Sequence, residues 1–164
     1  MEFDLTGKRA LITGSSRGIG SAIAVELAKG GADIAVHCAG NVARAEEVAE
    51  KITALGRKAQ VFQADLSNPD EAATLMDRVG PVDILVLNAS IQIRKKWEEI
   101  TVADFRQQVD CNLLASMLLM QKAVPSMREK HWGRIITIGS VQEAKPHPEM
   151  LIYAASKCGQ TALV

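Results

Sequence analysis

The sequence predicts a doubly wound α/β fold, a parallel sheet with helices on both faces, in one domain over residues 1–164. Short apolar runs alternate with longer segments of helical periodicity, and the first run ends in a glycine-rich turn that opens a helix. The composition agrees: 48% of residues are hydrophobic but only 4% aromatic, which suits aliphatic strands buried on both faces.

Residues 8–13 are the first expected strand, and the helix after it spans 18–29 until Gly30-Gly31 stops it. Residues 34–36 form strand two. Residues 42–55 repeat apolar positions at helical spacing before Gly56, and residues 59–62 are strand three. Ser67-Asn68-Pro69-Asp70 is a helix start, with proline in the first turn, and that helix reaches Val79 before Gly80-Pro81 breaks it. Residues 83–87 are strand four. A single long helix is expected over 101–128, kinked late by Pro125, and strand five follows at 134–138. A last helix opens near Met150 and is still running at Val164. Such βαβ crossovers place a ligand at the carboxyl ends of the strands, where the winding reverses.

The 19 basic and 19 acidic residues cancel, so no net field draws the chain to nucleic acid or anionic lipid. The run Arg94-Lys95-Lys96 reads as a solvated loop. Cys38, Cys111 and Cys158 are odd in number and far apart, which argues against a disulfide framework and against paired metal ligands; no metal is expected. Met1-Glu2-Phe3-Asp4-Leu5 carries acid where a secretory leader carries base, and no apolar run has membrane-spanning length. The expected location is cytoplasmic.

Residues 13–20 read Thr-Gly-Ser-Ser-Arg-Gly-Ile-Gly between a strand and a helix. Gly14 suits a tight turn, Gly18 lets backbone amides approach a pyrophosphate, and Gly20 allows close helix–strand packing. Ser16, Arg17 and Ile19 belong to the same loop. The helix terminus adds positive potential. An acidic residue at the end of strand two would bind the adenosine ribose and repel a 2′-phosphate. Asp33 opens that strand and should point away, whereas His37, Cys38, Ala39, Gly40 and Asn41 at its end are not acidic. With Arg17 in the glycine loop, NADP is expected over NAD, NAD remaining possible. His37 reads as a strand-end side chain at this pocket.

Tyr153-Ala154-Ala155-Ser156-Lys157 puts a tyrosine and a lysine four apart on the last helix, and Ser140 stands at the end of strand five. With the glycine loop, this set resembles the short-chain dehydrogenase/reductase family, in its single-domain oxidoreductase branch, across the whole chain. The resemblance implies a Rossmann fold with five strands present and the C-terminal strands of the family missing. It implies hydride transfer between NADP(H) and a carbonyl or secondary alcohol, as in a 3-oxoacyl-thioester or related ketone reductase. Tyr153 would be the general acid, eased by the Lys157 ammonium one turn away, which also holds the nicotinamide ribose. Ser140 would hydrogen-bond the substrate oxygen, and Asn112 would hold a water in the proton relay. Asp65-Leu66 resembles the pair that contacts adenine. Asn88-Ala89 resembles part of the family's Asn-Asn-Ala-Gly element, with Leu87 and Ser90 replacing its first Asn and its Gly. Ile91-Gln92-Ile93 and the loop 142–149 are expected to line the substrate pocket. The resemblance further implies a homo-oligomer, tetramer or dimer, when the chain is complete. The alternatives are a noncatalytic nicotinamide-nucleotide sensor or scaffold, or an inactive fragment of the enzyme, with strand five left as an edge.

Overall fold

The computed structural model describes residues 4–164; Met1, Glu2 and Phe3, on which the leader argument partly rests, lie outside the described residues. Five parallel strands form one sheet in the order β3-β2-β1-β4-β5. They are β1 Arg9–Ile12, β2 Asp33–Cys38, β3 Ala59–Gln63, β4 Ile84–Leu87 and β5 Arg134–Thr137. Around them lie α1 Gly18–Lys29, α2 Val42–Ala54, α3 Pro69–Val79, α4 Val102–Val109, α5 Ala115–Glu129 and α6 Leu151–Ala162.

Alternation along the strands makes the two cores. Leu11, Ala35, Leu85 and Leu87 join Leu75, Met76, Ala115 and Leu119 in one apolar cluster, on the side of α3 and α5. Their neighbours Ala10, Ile12, Ile34, Val36, Ile84 and Val86 join Ala24, Ala28, Val48 and Ile52 in the other, on the side of α1 and α2. A strand buried on both faces needs apolar side chains at every position, which is why these runs do not alternate with polar residues.

β2 runs beyond the expected 34–36 because His37 and Cys38 pair in register with Phe62 and Gln63. The long helix is not continuous α. A π-helical turn, Asp110–Leu114, separates α4 from α5, while Pro125 lies inside α5 without ending it. α6 closes at Ala162 rather than running through Val164. β5 is an edge strand with Ile136 exposed, as expected. No helix among the described residues is long and apolar enough to cross a membrane.

Candidate active site

The winding reverses between β1 and β4, and a cleft of about 560 Å³ opens at their carboxyl ends. Of the residues expected at a cofactor, Gly14, Ser16, Arg17, Gly18, Ile19, His37, Asp65, Leu66, Asn88, Ala89 and Ser90 line this cleft. Gly20 lies behind it. A Cβ there would stand 2.5 Å from the Gly14 carbonyl oxygen and 2.6 Å from Asn88 Nδ2, so only glycine lets α1 approach the loop. Gly14 and Gly18 have φ of 65° and 58°, the left-handed conformation that the loop requires. α1 begins with no side-chain cap and no acid in its first turn, leaving its amino terminus available to an anion.

Neutral side chains brace the glycine loop. Thr13 Oγ1 accepts from the amides of Asn88 and Ala89, at 3.0 Å each, and donates to the Val86 carbonyl. Asn88 Nδ2 donates back to the carbonyls of Thr13 and Gly14. His37 is 1% exposed and does more than end a strand. Its Nδ1 accepts from the Gly14 amide at 2.9 Å, and its Nε2 lies 3.0 Å from the Ala64 carbonyl, which only an N–H can satisfy. Its backbone N–H donates to Ser15 Oγ at 3.0 Å. Both ring nitrogens are thus spent on protein. Burial pushes the imidazole down to about 4, so it is neutral at physiological pH.

Asn41 and Arg44, which follow β2, line the cleft together with Arg17 of the glycine loop. Asp33 is turned away, as expected, with its carboxylate accepting from Arg57 at 2.9 Å and from the Lys58 amide at 3.0 Å. Leu87, where the family has asparagine, packs in the apolar cluster with Leu85 and Leu119, so the replacement costs no buried polar group. Cys111 also lines the cleft. Burial pushes its thiol up to about 12, which makes it wall rather than nucleophile.

Asn112 joins this cleft to the last helix. It is fully buried in the π turn, where its Oδ1 accepts from the Ile91 amide at 2.8 Å. Its Nδ2 donates to the Ile91 carbonyl and to Ser156 Oγ, at 2.9 Å each. Ile91 lines the cleft and Ser156 neighbours Lys157, so one amide docks α6 against the cleft wall. All three hydrogen bonds of that amide go to protein, making Asn112 a tie between segments. Lys157 is 2% exposed, and its ammonium donates to Gln160 Oε1. Tyr153 sits half-buried one turn earlier.

Ser140 caps a short 3-10 turn, Val141–Glu143: its Oγ accepts from the Gln142 amide at 3.2 Å, and its amide donates to Glu143 Oε1. The other Glu143 oxygen accepts from Thr161 Oγ1 of α6 at 2.8 Å, so Ser140 is joined to the Tyr153 helix through Glu143. The loop 142–149 is clasped to the segment after β4, with Arg94 Nε on Glu149 at 2.6 Å and the Lys95 amide on the Glu149 carbonyl at 3.0 Å. Sequence patterns had not singled out Ser15, Arg44, Ser116, Ser156 or Gln160. For Ser116 and Gln160 the available signal was a polar residue within an apolar helical stripe.

Comparison with known proteins places this geometry. A family model described as short chain dehydrogenase matches residues 8–164. The hydroxynaphthalene reductase of Aspergillus fumigatus is 37% identical over 157 residues, which are 93% of this chain and 57% of that protein. The 3-oxoacyl-[acyl-carrier-protein] reductase of Staphylococcus aureus is 36% identical over 160 residues, covering 95% of this chain and 65% of the relative. The crystal structure of a 3-oxoacyl (acyl-carrier-protein) reductase from Agrobacterium tumefaciens with NADP bound superposes with a TM-score of 0.93. It is 39% identical and covers 99% of this chain and 64% of its own. The chain thus spans about three fifths of the length of the curated relatives it matches.

Proposed function

This chain belongs to the short-chain dehydrogenase family, and from that premise we propose that it binds NADP(H) in the cleft and that the whole protein reduces a carbonyl substrate to an alcohol. The dinucleotide supplies the hydride when bound. The observation that carries the proposal is the Asn112 amide, which ties the Tyr153–Lys157 helix to Ile91 in the wall of a cleft that the glycine loop also lines.

The residues present fit the dinucleotide. Gly14, Gly18 and the uncapped start of α1 suit its pyrophosphate. Arg17 and Arg44, with no acid at the end of β2, suit a 2′-phosphate, which favours NADP(H) over NAD(H). Asp65 and Leu66 suit adenine. Lys157 would hold the nicotinamide ribose through its ammonium.

As the substrate C=O is reduced to CH–OH, Tyr153 Oη would give its proton to the substrate oxygen. Ser140 Oγ donates a hydrogen bond to that oxygen as charge grows on it. The substrate class favoured is a 3-oxoacyl thioester or a related ketone, in line with the relatives' activities.

Loss of absorbance at the reduced-nicotinamide band tests this, with NADPH or NADH and a panel of 3-oxoacyl thioesters, ketones and aldehydes. NADPH oxidation by at least one 3-oxoacyl thioester or ketone is expected, falling by roughly 10²–10⁴ in Tyr153→Phe. Binding of NADPH without oxidation by any of them would overturn the catalytic assignment in favour of a nucleotide sensor. Undiminished turnover in Tyr153→Phe would remove Tyr153 as the acid.

A further inference from the structure

Lys157 poses a problem that its pairing with Tyr153 does not solve. An ammonium 2% exposed needs acceptors, and no carboxylate among the described residues lies within ion-pair distance of it. Its ammonium donates to the side-chain oxygen of Gln160, one turn on along α6 and itself 1% exposed. Gln160 Nε2 donates to Ser116 Oγ at 2.8 Å, and the Ser116 hydroxyl donates to the Asn112 carbonyl at 3.0 Å. The chain runs in one direction only. A flipped Gln160 amide would set N–H against ammonium and oxygen against a serine whose proton is already given to Asn112, so the donors themselves fix its orientation.

We infer that Gln160 is a positioning residue for Lys157: its amide oxygen, oriented by Ser116 and through it by the π turn at Asn112, fixes where the ammonium stands. The assignment rests on Tyr153 and Lys157 acting as the acid–base pair proposed above. An amide oxygen satisfies the ammonium without neutralising it, whereas a carboxylate would cancel the field that Lys157 directs at its surroundings. Burial lowers the affinity of Lys157 for its proton, opposed by Glu143 from the turn after β5 and by Cys111 from the π turn. Glu143 is engaged by the Ser140 amide and Thr161, which leaves Gln160 as the direct acceptor.

The test follows the ¹³Cε resonance of Lys157 through a pH titration of the full chain without cofactor, the signal being assigned by its absence in Lys157→Met. Gln160→Met removes the acceptor at similar volume and is expected to lower the titration midpoint by about one pH unit, a tenfold change in the protonation equilibrium. Gln160→Glu should raise it, and Ser116→Ala should lower it by a smaller step. A cooperatively folded Gln160→Met protein that melts lower yet keeps the wild-type midpoint would show a merely structural glutamine and overturn the inference. If Gln160→Met does not fold, an unmoved midpoint in Gln160→Glu overturns it equally. With substrate, Gln160→Met should lower kcat more than it changes the KM for the carbonyl compound. Because the titration needs no turnover, a Lys157→Met enzyme that kept full activity would strike the acid–base pair alone.

Discussion

Acidification offers a direct probe of how the glycine loop is held. The His37 ring is buried with its Nδ1 accepting from Gly14 and its Nε2–H donating to Ala64, and burial holds it down to about 4 against an ordinary 6.5. Below pH 6.5 the unfolded chain takes up a proton that the folded chain refuses until pH 4, so stability falls as pH drops through that window and no further below it. The full difference corresponds to about 3 kcal/mol, of which about 2 kcal/mol is lost by pH 5. Urea unfolding at pH 7 and pH 5 would measure it against His37→Asn, whose amide can still accept from Gly14 but does not titrate. The wild type should lose about 2 kcal/mol more than the variant over that interval. Coenzyme affinity of the folded protein should hold until near pH 4, because the folded ring stays neutral until then. Equal losses in the two proteins, or a coenzyme affinity that fell in step with stability near pH 6, would refute the buried, neutral imidazole.

Alanine at three glycines should separate strain from contact. Gly40→Ala meets nothing within 4 Å and should be near neutral; Gly18→Ala, at positive φ in open space, should cost about 1 kcal/mol; Gly20→Ala, driven into the Gly14 carbonyl, should cost about 3 kcal/mol and abolish NADPH binding, all read by urea unfolding and coenzyme titration. Arg17→Ala and Arg44→Ala should each weaken NADPH by roughly ten- to a hundredfold while leaving NADH nearly unchanged, as measured by dissociation constants for both. Asn112→Ala should destabilise by roughly 3 kcal/mol, because it strands the Ile91 amide and carbonyl, and Asn112→Asp should not rescue it, because a carboxylate would face the Ile91 carbonyl.

The strands and the glycine loop were legible because their causes are local. Apolar runs such as Ile84–Leu87 are long enough for a strand and too short for a helix, and Gly14, Gly18 and Gly20 stand where a strand meets a helix. The orientation of Asp33 followed from its place at the start of β2. Helical periodicity passes through residues 101–128 unbroken, so the π turn left no local trace; what meets it is the pairing of Asn112 with Ile91, 21 residues away. His37 was legible as a strand end but not as a brace, because its partners Gly14 and Ala64 lie 23 and 27 residues off. The missing N–H of Pro125 removes one hydrogen bond near the end of α5, where the chain continues helical to Glu129.

The groups that hold the site share one property, which follows from where they sit. Thr13, Ser15, His37, Asn112, Ser116 and Gln160 are buried and neutral, and they spend their donors and acceptors on backbone, on one another, on Ser156 and, for the Gln160 oxygen, on Lys157. Buried charges used as braces would need partners of opposite sign, and those pairs would cancel one another's fields. Neutral dipoles position without cancelling. The charges left to act are Arg17 and Arg44 on the exposed wall of the cleft and Lys157 buried in α6, while Asp65 stands exposed at the adjoining strand end. The two arginines suit a ligand whose phosphates lie outward, and a neutral partner such as an amide leaves the Lys157 charge uncancelled.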